Sequence, residues 1–217
     1  MKYTDGLPEV QSVYDDSKWT GANLVNSTNP RKPTTPTSLY ASDYGYHTGN
    51  ILWRGHFTAS DTDKTSTAEV QGGGAFAASL WLDNQQLAYY AGIYGVAAVN
   101  LTAKLPGLKN GGEHVYTVIQ DHMGLEQNYG PGGDLHKTSY GILNYGFTGT
   151  NGTTDVAWKV TGNLGGEHYI DRMCGPLNEG GLYPEGQGFH QPGAPTLSWH
   201  NDSPLKGIDK PGVRFYR

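Results

Sequence analysis

The chain has 217 residues, enough for one sizeable hydrophobic core, so its size demands neither disulfides nor a metal ion for stability. The formal net charge is −5 and lysine and arginine form no cluster, which argues against a surface that holds nucleic acid or anionic lipid through its charge. Only 16% of the residues are charged, whereas there are 32 glycines and 15 tyrosines, a composition that predicts an all-β protein of short strands and tight turns.

The amino-terminal residues Met1–Asp5 lack the apolar segment of a signal peptide, and no stretch reaches the roughly 20 apolar residues of a membrane span. The protein is therefore either intracellular or has lost its leader. The single cysteine, Cys174, cannot close an internal disulfide, and we expect an unreactive structural thiol. Four N-glycosylation sequons favour secretion, at Asn26, Asn100, Asn151 and Asn201.

Residues 39–149 predict a β-sandwich or barrel, because short apolar or aromatic segments alternate there with glycine clusters. The segment Val115–Ile119 is β-branched or aromatic at every position and predicts a strand. A second predicted strand, Ile51–Phe57, divides its side chains between two faces: Ile51, Trp53 and Phe57 on one, Leu52, Arg54 and His56 on the other. We expect three tryptophans in strand-like runs to be core residues: Trp53, Trp81 and Trp158.

Residues 75–91 contain no glycine or proline, and their alanine, leucine and glutamine residues are compatible with a helix. We nevertheless predict a hairpin. Ser79–Leu82 and Leu87–Tyr90 form its strands, and the polar residues Asp83–Gln85 form its turn, with Asn84 tolerating a left-handed backbone.

Beyond residue 149 the amino-acid composition of the sequence changes. Asp155–Thr161 predicts one more strand, and glycine and proline then dominate as far as Pro211, as in a linker with little core of its own. The last residues, Gly212–Arg217, begin a strand pattern that stops before it can pair, which suggests truncation.

Two long motifs and three short ones resemble a known family. The first long motif joins Leu39–Gly49 to Trp53–Phe57. The second has three parts: Thr161–Glu167, Gly175–Leu182 and Gln187–Pro192. The short motifs are Leu7–Val10, Asp121–Leu125 and Gly212–Tyr216. All five resemble the fungal β-galactosidases of glycoside hydrolase family 35, and the resemblance covers nearly the whole chain.

The resemblance implies a place after a catalytic (β/α)₈ barrel, in a region built from two galactose-binding-like jelly rolls. Asp15–Trp19 resembles the opening of such a module, and Gly212–Tyr216 resembles, in the second jelly roll, the strand Gly49–Trp53 of the first. We therefore expect a galactose-binding-like jelly-roll β-sandwich with a Gly/Pro-rich carboxy-terminal extension. Its predicted parts are a lead-in and first strand region (1–37), the jelly roll (38–161), and a linker with the start of a truncated second jelly roll (162–217).

The pair Asn178-Glu179 is the one candidate for glycosidase chemistry, because related barrel glycosidases place an asparagine before the acid/base glutamate. A retaining glycosidase needs two carboxyl groups about 5 to 5.5 Å apart. Here the pair lies among glycines and no barrel strand precedes it, so we predict a structural or interdomain loop. The resemblance places both catalytic glutamates on barrel strands that this chain lacks, and we predict no catalytic residue in it.

The eight histidines do not show the spacing of a metal site, and we predict neither a metal nor a cofactor. A calcium ion in an aspartate-rich loop stays an open alternative. Aromatic faces can stack on a pyranose, and the resemblance implies that one loop reaches toward galactose in the barrel's pocket. This loop contains Glu126, Asn128 and Tyr129. Fungal relatives usually have tryptophan where this chain has Tyr129, a change that keeps stacking but reduces its area.

Together these observations predict a non-catalytic accessory domain of a secreted β-galactosidase, with at most weak carbohydrate binding of its own. Its expected partners are a galactoside and the missing barrel and second jelly roll, and not nucleic acid or a membrane. Secretion is inferred from the family. Two alternatives remain open: an autonomous galactose-binding module resembling a lectin, and a small jelly-roll polysaccharide lyase or hydrolase.

Overall fold

The computed structural model describes residues 7–46, 49–74, 76–93, 95–122, 139–148, 155–162 and 203–206. Within these ranges the regular structure consists of β-strands and single turns of 3₁₀-helix, which confirms the predicted all-β class. The strands are β1 (Thr20–Gly21), β2 (Gly49–Thr58), β3 (Thr65–Gln71), β4 (Ala78–Leu82), β5 (Gln85–Tyr90), β6 (Ala98–Lys104), β7 (Glu113–His122), β8 (Gly141–Thr148) and β9 (Ala157–Gly162). The 3₁₀ turns are Pro8–Val10, Ala41–Tyr44 and Pro204–Lys206.

The strands form two antiparallel sheets, which confirms the predicted sandwich. One sheet has six strands in the order β1-β9-β2-β7-β4-β5, and the other has three in the order β6-β3-β8. The longest pairing joins β2 to β7 in unbroken register from Gly49↔His122 to Thr58↔Glu113. Neighbouring strands are mostly distant in sequence, so the fold depends on long-range contacts rather than on local hairpins.

The core lies between the two sheets. The alternation of side chains along β2 correctly predicts which of them face it. Ile51, Trp53 and Phe57 are all buried. Phe57 stacks on Phe147 of the opposite sheet with ring centroids 4.7 Å apart. The same Phe147 meets the ring of Tyr116 edge-on at 5.1 Å. These aromatic contacts join β2 and β7 to β8, and the predicted core positions of Trp53, Trp81 and Trp158 are confirmed.

Gly55 allows β2 to pack closely against the start of β9, the last described strand. A Cβ at this position would lie 2.5 Å from Cγ1 of Val156 and 3.1 Å from the indole ring of Trp158. The Trp158 ring therefore occupies the space that a side chain at position 55 would need. Glycine is required here by packing between neighbouring strands.

The segment 75–91 contains the predicted hairpin and not a helix, as β4 and β5 pair in antiparallel fashion. Two details of the prediction were wrong. The turn consists of Asp83 and Asn84 alone, because Gln85 already belongs to β5. The left-handed residue is Asp83 (φ 50°) and not Asn84. The carboxylate of Asp83 explains this choice, since it accepts hydrogen bonds from the amide of Val115 (3.0 Å) and from Nδ1 of His114 (2.9 Å).

The other predicted strands are also confirmed: Val115–Ile119 lies within β7, and β9 overlaps Asp155–Thr161. The strand expected at Gly212–Arg217 and most of the predicted linker lie outside the described residues. The three-part division of the chain stays a prediction. One relevant observation is that Thr20 and Gly21, assigned to the lead-in, pair with Val160 and Lys159 of β9.

Candidate functional site

Most residues that the sequence singled out for function lie outside the described residues. These are the carbohydrate-contacting candidates Glu126, Asn128 and Tyr129, the loop pair Asn178 and Glu179, and two of the sequons, Asn151 and Asn201. Their roles stay predictions. The other two sequon asparagines, Asn26 and Asn100, are described, and both are exposed.

The two ends of the segment 123–138, which contains the candidate sugar loop, are well defined. β7 ends at His122 and β8 begins at Gly141, and the side chains of His122 and Tyr140 are both buried. Their rings meet edge-on at 4.7 Å. The carbonyl of Tyr140 accepts a hydrogen bond from the amide of Ala41 (2.8 Å). We call His122 and Tyr140 the loop root, because their contact joins the end of β7 to the residue before β8.

The loop root lies at one end of the six-stranded sheet. Gly49, the first residue of β2, pairs with His122. Two residue rows further into the sheet, Gln120 pairs with Ala78 of β4 on one side and with Ile51 on the other. Ile51 in turn pairs with Gly162, where β9 ends. The strands β7 and β9 therefore both finish at the same end of the six-stranded sheet.

A buried amide, Gln120, supports the loop root from inside. Its Oε1 accepts a hydrogen bond from the indole Nε1 of Trp53 (3.3 Å), and its Nε2 donates to the carbonyl of Gln71 (2.5 Å). These bonds connect β2 and β7 to β3 of the opposite sheet. A buried polar group whose partners are all in place fixes one arrangement of the strands, because any slip would leave it unsatisfied. The end of β7 is therefore a rigid support.

The motif Leu39–Gly49, which carries part of the family resemblance, has a structural role next to the loop root. Its Asp43 carboxylate accepts hydrogen bonds from Nδ2 of Asn29 (2.8 Å) and from the hydroxyl of Ser38 (2.5 Å). The hydroxyl of Tyr44 donates to the carbonyl of Ser38 (2.7 Å), and its ring meets Trp53 edge-on at 6.1 Å. The polar residues of the motif thus hold an irregular segment against β2.

The sequence reasoning missed the main charge cluster among the described residues, which centres on Asp16. Its Oδ2 accepts hydrogen bonds from Nε of Arg54 (2.7 Å) and from Nε2 of His56 (2.6 Å). Its Oδ1 accepts one from Nζ of Lys159 (2.8 Å). The predicted strand places Arg54 and His56 on one face, and Asp15–Trp19 resembles the opening of a module, but no local pattern indicates that these residues meet.

Arg54 is fully buried although it projects from the outward face of the sheet. Its guanidinium donates to the carbonyls of Glu9, Gln11 and Tyr14. The rings of Tyr14 and Trp19 lie over it, with centroids 5.4 and 5.8 Å from Cζ. The segment before β1 therefore wraps around one arginine, and this cation holds the segment on the sheet.

The electrostatics identify the cluster as a structural link. Burial alone would raise the pKa of Asp16, but the hydrogen bonds from Lys159, Arg54 and His56 outweigh it and hold this pKa far below its ordinary value. Burial raises the pKa of the neighbouring Glu9. The Asp16 carboxylate is therefore ionised and accepts hydrogen bonds from three protein side chains on two strands, as expected of a structural ion-pair cluster.

The described part of the chain contains no group of three or more His, Cys, Asp or Glu side chains that could hold a metal ion. It also contains no helix that is both long enough and apolar enough to span a membrane.

The geometry defines an antiparallel β-sandwich domain in which the last residue of β7, His122, contacts Tyr140 just before β8. Residues 14–126 match the family model described as "Beta-galactosidase second all-beta domain". The chain belongs to this family, which confirms the resemblance noted in the sequence.

Fungal relatives match almost the whole chain. It is 51% identical to "Beta-galactosidase A" of Aspergillus niger, and 49% identical to "Probable beta-galactosidase A" of both Aspergillus fumigatus and Emericella nidulans. Each match covers 99% of this chain but only 21% of the relative. The chain thus spans about a fifth of the length of these curated relatives.

Proposed function

We propose that this chain is a non-catalytic accessory domain of a secreted β-galactosidase, and that its segment 123–138 presents Tyr129 to a galactoside bound by another part of the polypeptide. The observation that carries the proposal is the close identity to one fifth of several β-galactosidases. The remaining four fifths of such a protein can supply the two carboxyl groups that glycoside hydrolysis needs.

The rigid loop root supports a positioning role for the segment 123–138. A side chain that completes a binding pocket must be held in place before the ligand arrives, since ordering it on binding costs free energy. The side chains of His122 and Tyr140 on either side of the segment are buried in contact with each other, and Gln120 is hydrogen-bonded to the carbonyl of Gln71. The strand β9 ends at the same end of the sheet as β7, since Ile51 pairs with both Gly162 and Gln120.

The contact itself is proposed to be stacking of the Tyr129 ring on the apolar face of the sugar, with Glu126 and Asn128 bonding its hydroxyls. Asn178 and Glu179 are assigned to an interdomain or structural loop. Neither residue is given a chemical step, because the proposal places the reacting carboxylates outside this chain.

The first experiment asks whether the purified chain hydrolyses a chromogenic β-galactoside. We expect no turnover above a blank, and the same result for Glu179→Gln. Turnover that disappears in Glu179→Gln would overturn the non-catalytic assignment. Turnover of a polysaccharide instead would support the small lyase or hydrolase.

The second experiment tests Tyr129 in a complete enzyme, with this chain replacing the matching fifth of Aspergillus niger "Beta-galactosidase A". Tyr129→Ala should raise KM for a β-galactoside about tenfold, whereas Tyr129→Phe should keep KM within about twofold, because it retains the ring. Tyr129→Trp should lower KM. Equal KM values for the alanine and phenylalanine variants and the parent would contradict the stacking role.

Galactose binding by the isolated chain separates the accessory domain from an autonomous module. We expect a dissociation constant weaker than about 1 mM, since one aromatic ring and two polar side chains form only part of a pocket. A tighter constant that weakens in Tyr129→Ala would support the lectin-like module instead. Isothermal titration calorimetry with galactose gives this constant.

A further inference from the structure

The two described sheets have four edge strands: β1, β5, β6 and β8. An edge strand presents unpaired backbone groups, and natural proteins protect it with short length, charge, proline, a bulge or a covering segment. β1 has only two residues, and β6 ends at the exposed Lys104. β8 is covered where Tyr40 bridges to Gly141 and where the hydroxyl of Thr34 donates to the carbonyl of Leu143 (2.7 Å). Three of these four edges are therefore protected.

The fourth edge, β5, has much less protection. Among the described strands it is hydrogen-bonded to β4 alone. Residues 84–103 include no proline, no histidine and no charged residue, although 16% of the chain is charged. A bulge at Leu87 is the device that remains, since the register shifts between Leu80↔Ala88 and Trp81↔Gln86. The six-stranded sheet is consequently open to another strand at β5.

Two exposed apolar side chains lie at this edge. Tyr89 is 53% exposed, and Ile93, three residues after the strand, is 64% exposed. Tyr89 projects away from the core, because its neighbour Tyr90 packs inward on Phe76 with ring centroids 5.1 Å apart. The amide of Ile93 donates to the hydroxyl of Tyr90 (2.7 Å), which holds the start of the following loop near the strand. Both apolar side chains are thus presented to solvent beside an open strand.

We propose that β5 binds a second copy of this chain, with the two β5 strands pairing antiparallel about a two-fold axis. In a two-fold interface the same surface meets itself, so a charge near the axis would face an equal charge of the other copy. An uncharged strand avoids this repulsion. The pairing adds backbone hydrogen bonds between the two sheets and covers Tyr89 and Ile93 of both copies. It uses neither the segment 123–138 nor the loop root, so it is independent of the proposed galactoside contact.

Charge also favours a second copy over an unlike partner. The chain has a net charge of −5, so two copies repel each other over much of their surface and meet least repulsion at the uncharged edge. A partner selected by opposite charge would find no charge on this strand to bind. Two six-residue strands form an interface smaller than the roughly 1,200 Å² of stable complexes, so we expect a dissociation constant of about 10–100 μM.

The test is sedimentation equilibrium of the full 217-residue chain at concentrations from about 1 to 300 μM. The average mass should rise from that of a monomer toward that of a dimer. Tyr89→Lys should raise the dissociation constant at least about tenfold, because the new charges oppose each other and lysine blocks an edge strand. Val13→Lys is the matched control: Val13 is 86% exposed but precedes β1, so its replacement should leave the constant unchanged. Circular dichroism spectra that match the parent show that both variants fold.

Hydrogen exchange locates the interface independently of any variant. Amides of Gln85–Tyr90 should gain protection as the protein concentration rises, because pairing engages backbone groups that face solvent in the monomer. Amides of the covered edge strand β8 should exchange at the same rate at all concentrations.

Three results would overturn the proposal. The first is a chain that stays monomeric up to about 300 μM. The second is a dimer with the same dissociation constant in Tyr89→Lys and with protection gained at another strand, which would assign association to a different surface. The third is protection of β5 only when this chain replaces the matching fifth of Aspergillus niger "Beta-galactosidase A", which would assign the edge to another part of the polypeptide.

Discussion

Arg54 donates a hydrogen bond from Nε to Oδ2 of Asp16 over 2.7 Å, and both side chains are almost completely removed from solvent. The two residues are 38 positions apart in the chain. Asp16 also bonds Lys159 of β9, so one carboxylate joins the segment before β1 to two neighbouring strands. Removal of one member of such a cluster leaves a buried charge without compensation.

We expect Asp16→Asn to lower the free energy of unfolding by about 3–5 kcal/mol, the usual cost of breaking a buried ion pair. The measurement is urea denaturation followed by tryptophan fluorescence. Asp15→Asn is the matched control, because Asp15 is a neighbouring exposed aspartate whose one described contact is the amide of Ser17. The control should keep the midpoint of the parent. Similar midpoints for Asp16→Asn and the parent would show that the cluster does not hold the fold.

The same carboxylate should make stability depend on pH in acid. The pKa of Asp16 in the folded state lies well below the ordinary value of 3.8, so its contribution is fully present above about pH 5. That contribution is lost progressively as pH falls below about 4 toward the folded-state pKa. Glu9, whose pKa burial raises, acts in the opposite direction, because its protonation favours the folded state.

Urea midpoints between about pH 2 and pH 6 test this dependence. The parent should lose stability steadily toward pH 2, and Asp16→Asn should start lower and show a flatter profile. Parallel profiles for the two proteins would assign the acid sensitivity to other carboxylates.

Gly55→Ala should destabilise the protein by about 1–3 kcal/mol, since the new methyl group would overlap Val156 and force Trp158 to move. Gly74→Ala is the control. A Cβ at Gly74 would have no heavy atom within 4 Å, and we expect that change to be neutral or slightly stabilising. Thermal unfolding of both variants gives the comparison, and equal melting temperatures would contradict the packing described for β2 and β9.

The hairpin turn gives a graded prediction. Asp83→Ala should lower the free energy of unfolding by about 1–3 kcal/mol, because it removes two hydrogen bonds and places alanine in a left-handed backbone. Asp83→Asn should cost less, since asparagine tolerates this backbone and keeps an acceptor for the amide of Val115. Urea midpoints should follow the order parent, asparagine, alanine. An alanine variant as stable as the asparagine variant would show that the turn does not depend on this side chain.

Patterns of short range predicted most of the described fold. The alternation in Ile51–Phe57 correctly predicted which side chains enter the core, and a run of polar residues located the β4–β5 turn to within one residue. The burial of Arg54 was not predictable in this way. It depends on a carboxylate and on backbone carbonyls tens of residues earlier, and the local pattern of β2 only places Arg54 on the outward face.

The same contrast between local pattern and long-range contact applies to the candidate functional residues. The exposure of Asn100 follows from the period of a strand, and the sequence contains everything needed to infer it. The loop root cannot be inferred from the sequence, because His122 ends a strand of one sheet and Tyr140 precedes a strand of the other, and only the fold brings their rings into contact. The contacts proposed for Glu126, Asn128 and Tyr129 rest on the family resemblance and on the support beneath their segment.

The pairing of β1 with β9 has a consequence for how such a domain can be exchanged between proteins. Thr20 lies beside Val160, so the first and last described strands of the sandwich are neighbours at one edge of the sheet. Strands that enter and leave side by side allow a whole module to be inserted into a host polypeptide, or removed from it, while the flanking chain ends stay close together. In the described residues the first and last strands lie side by side in this way, and the Asp16–Lys159 ion pair links the segment before β1 to β9.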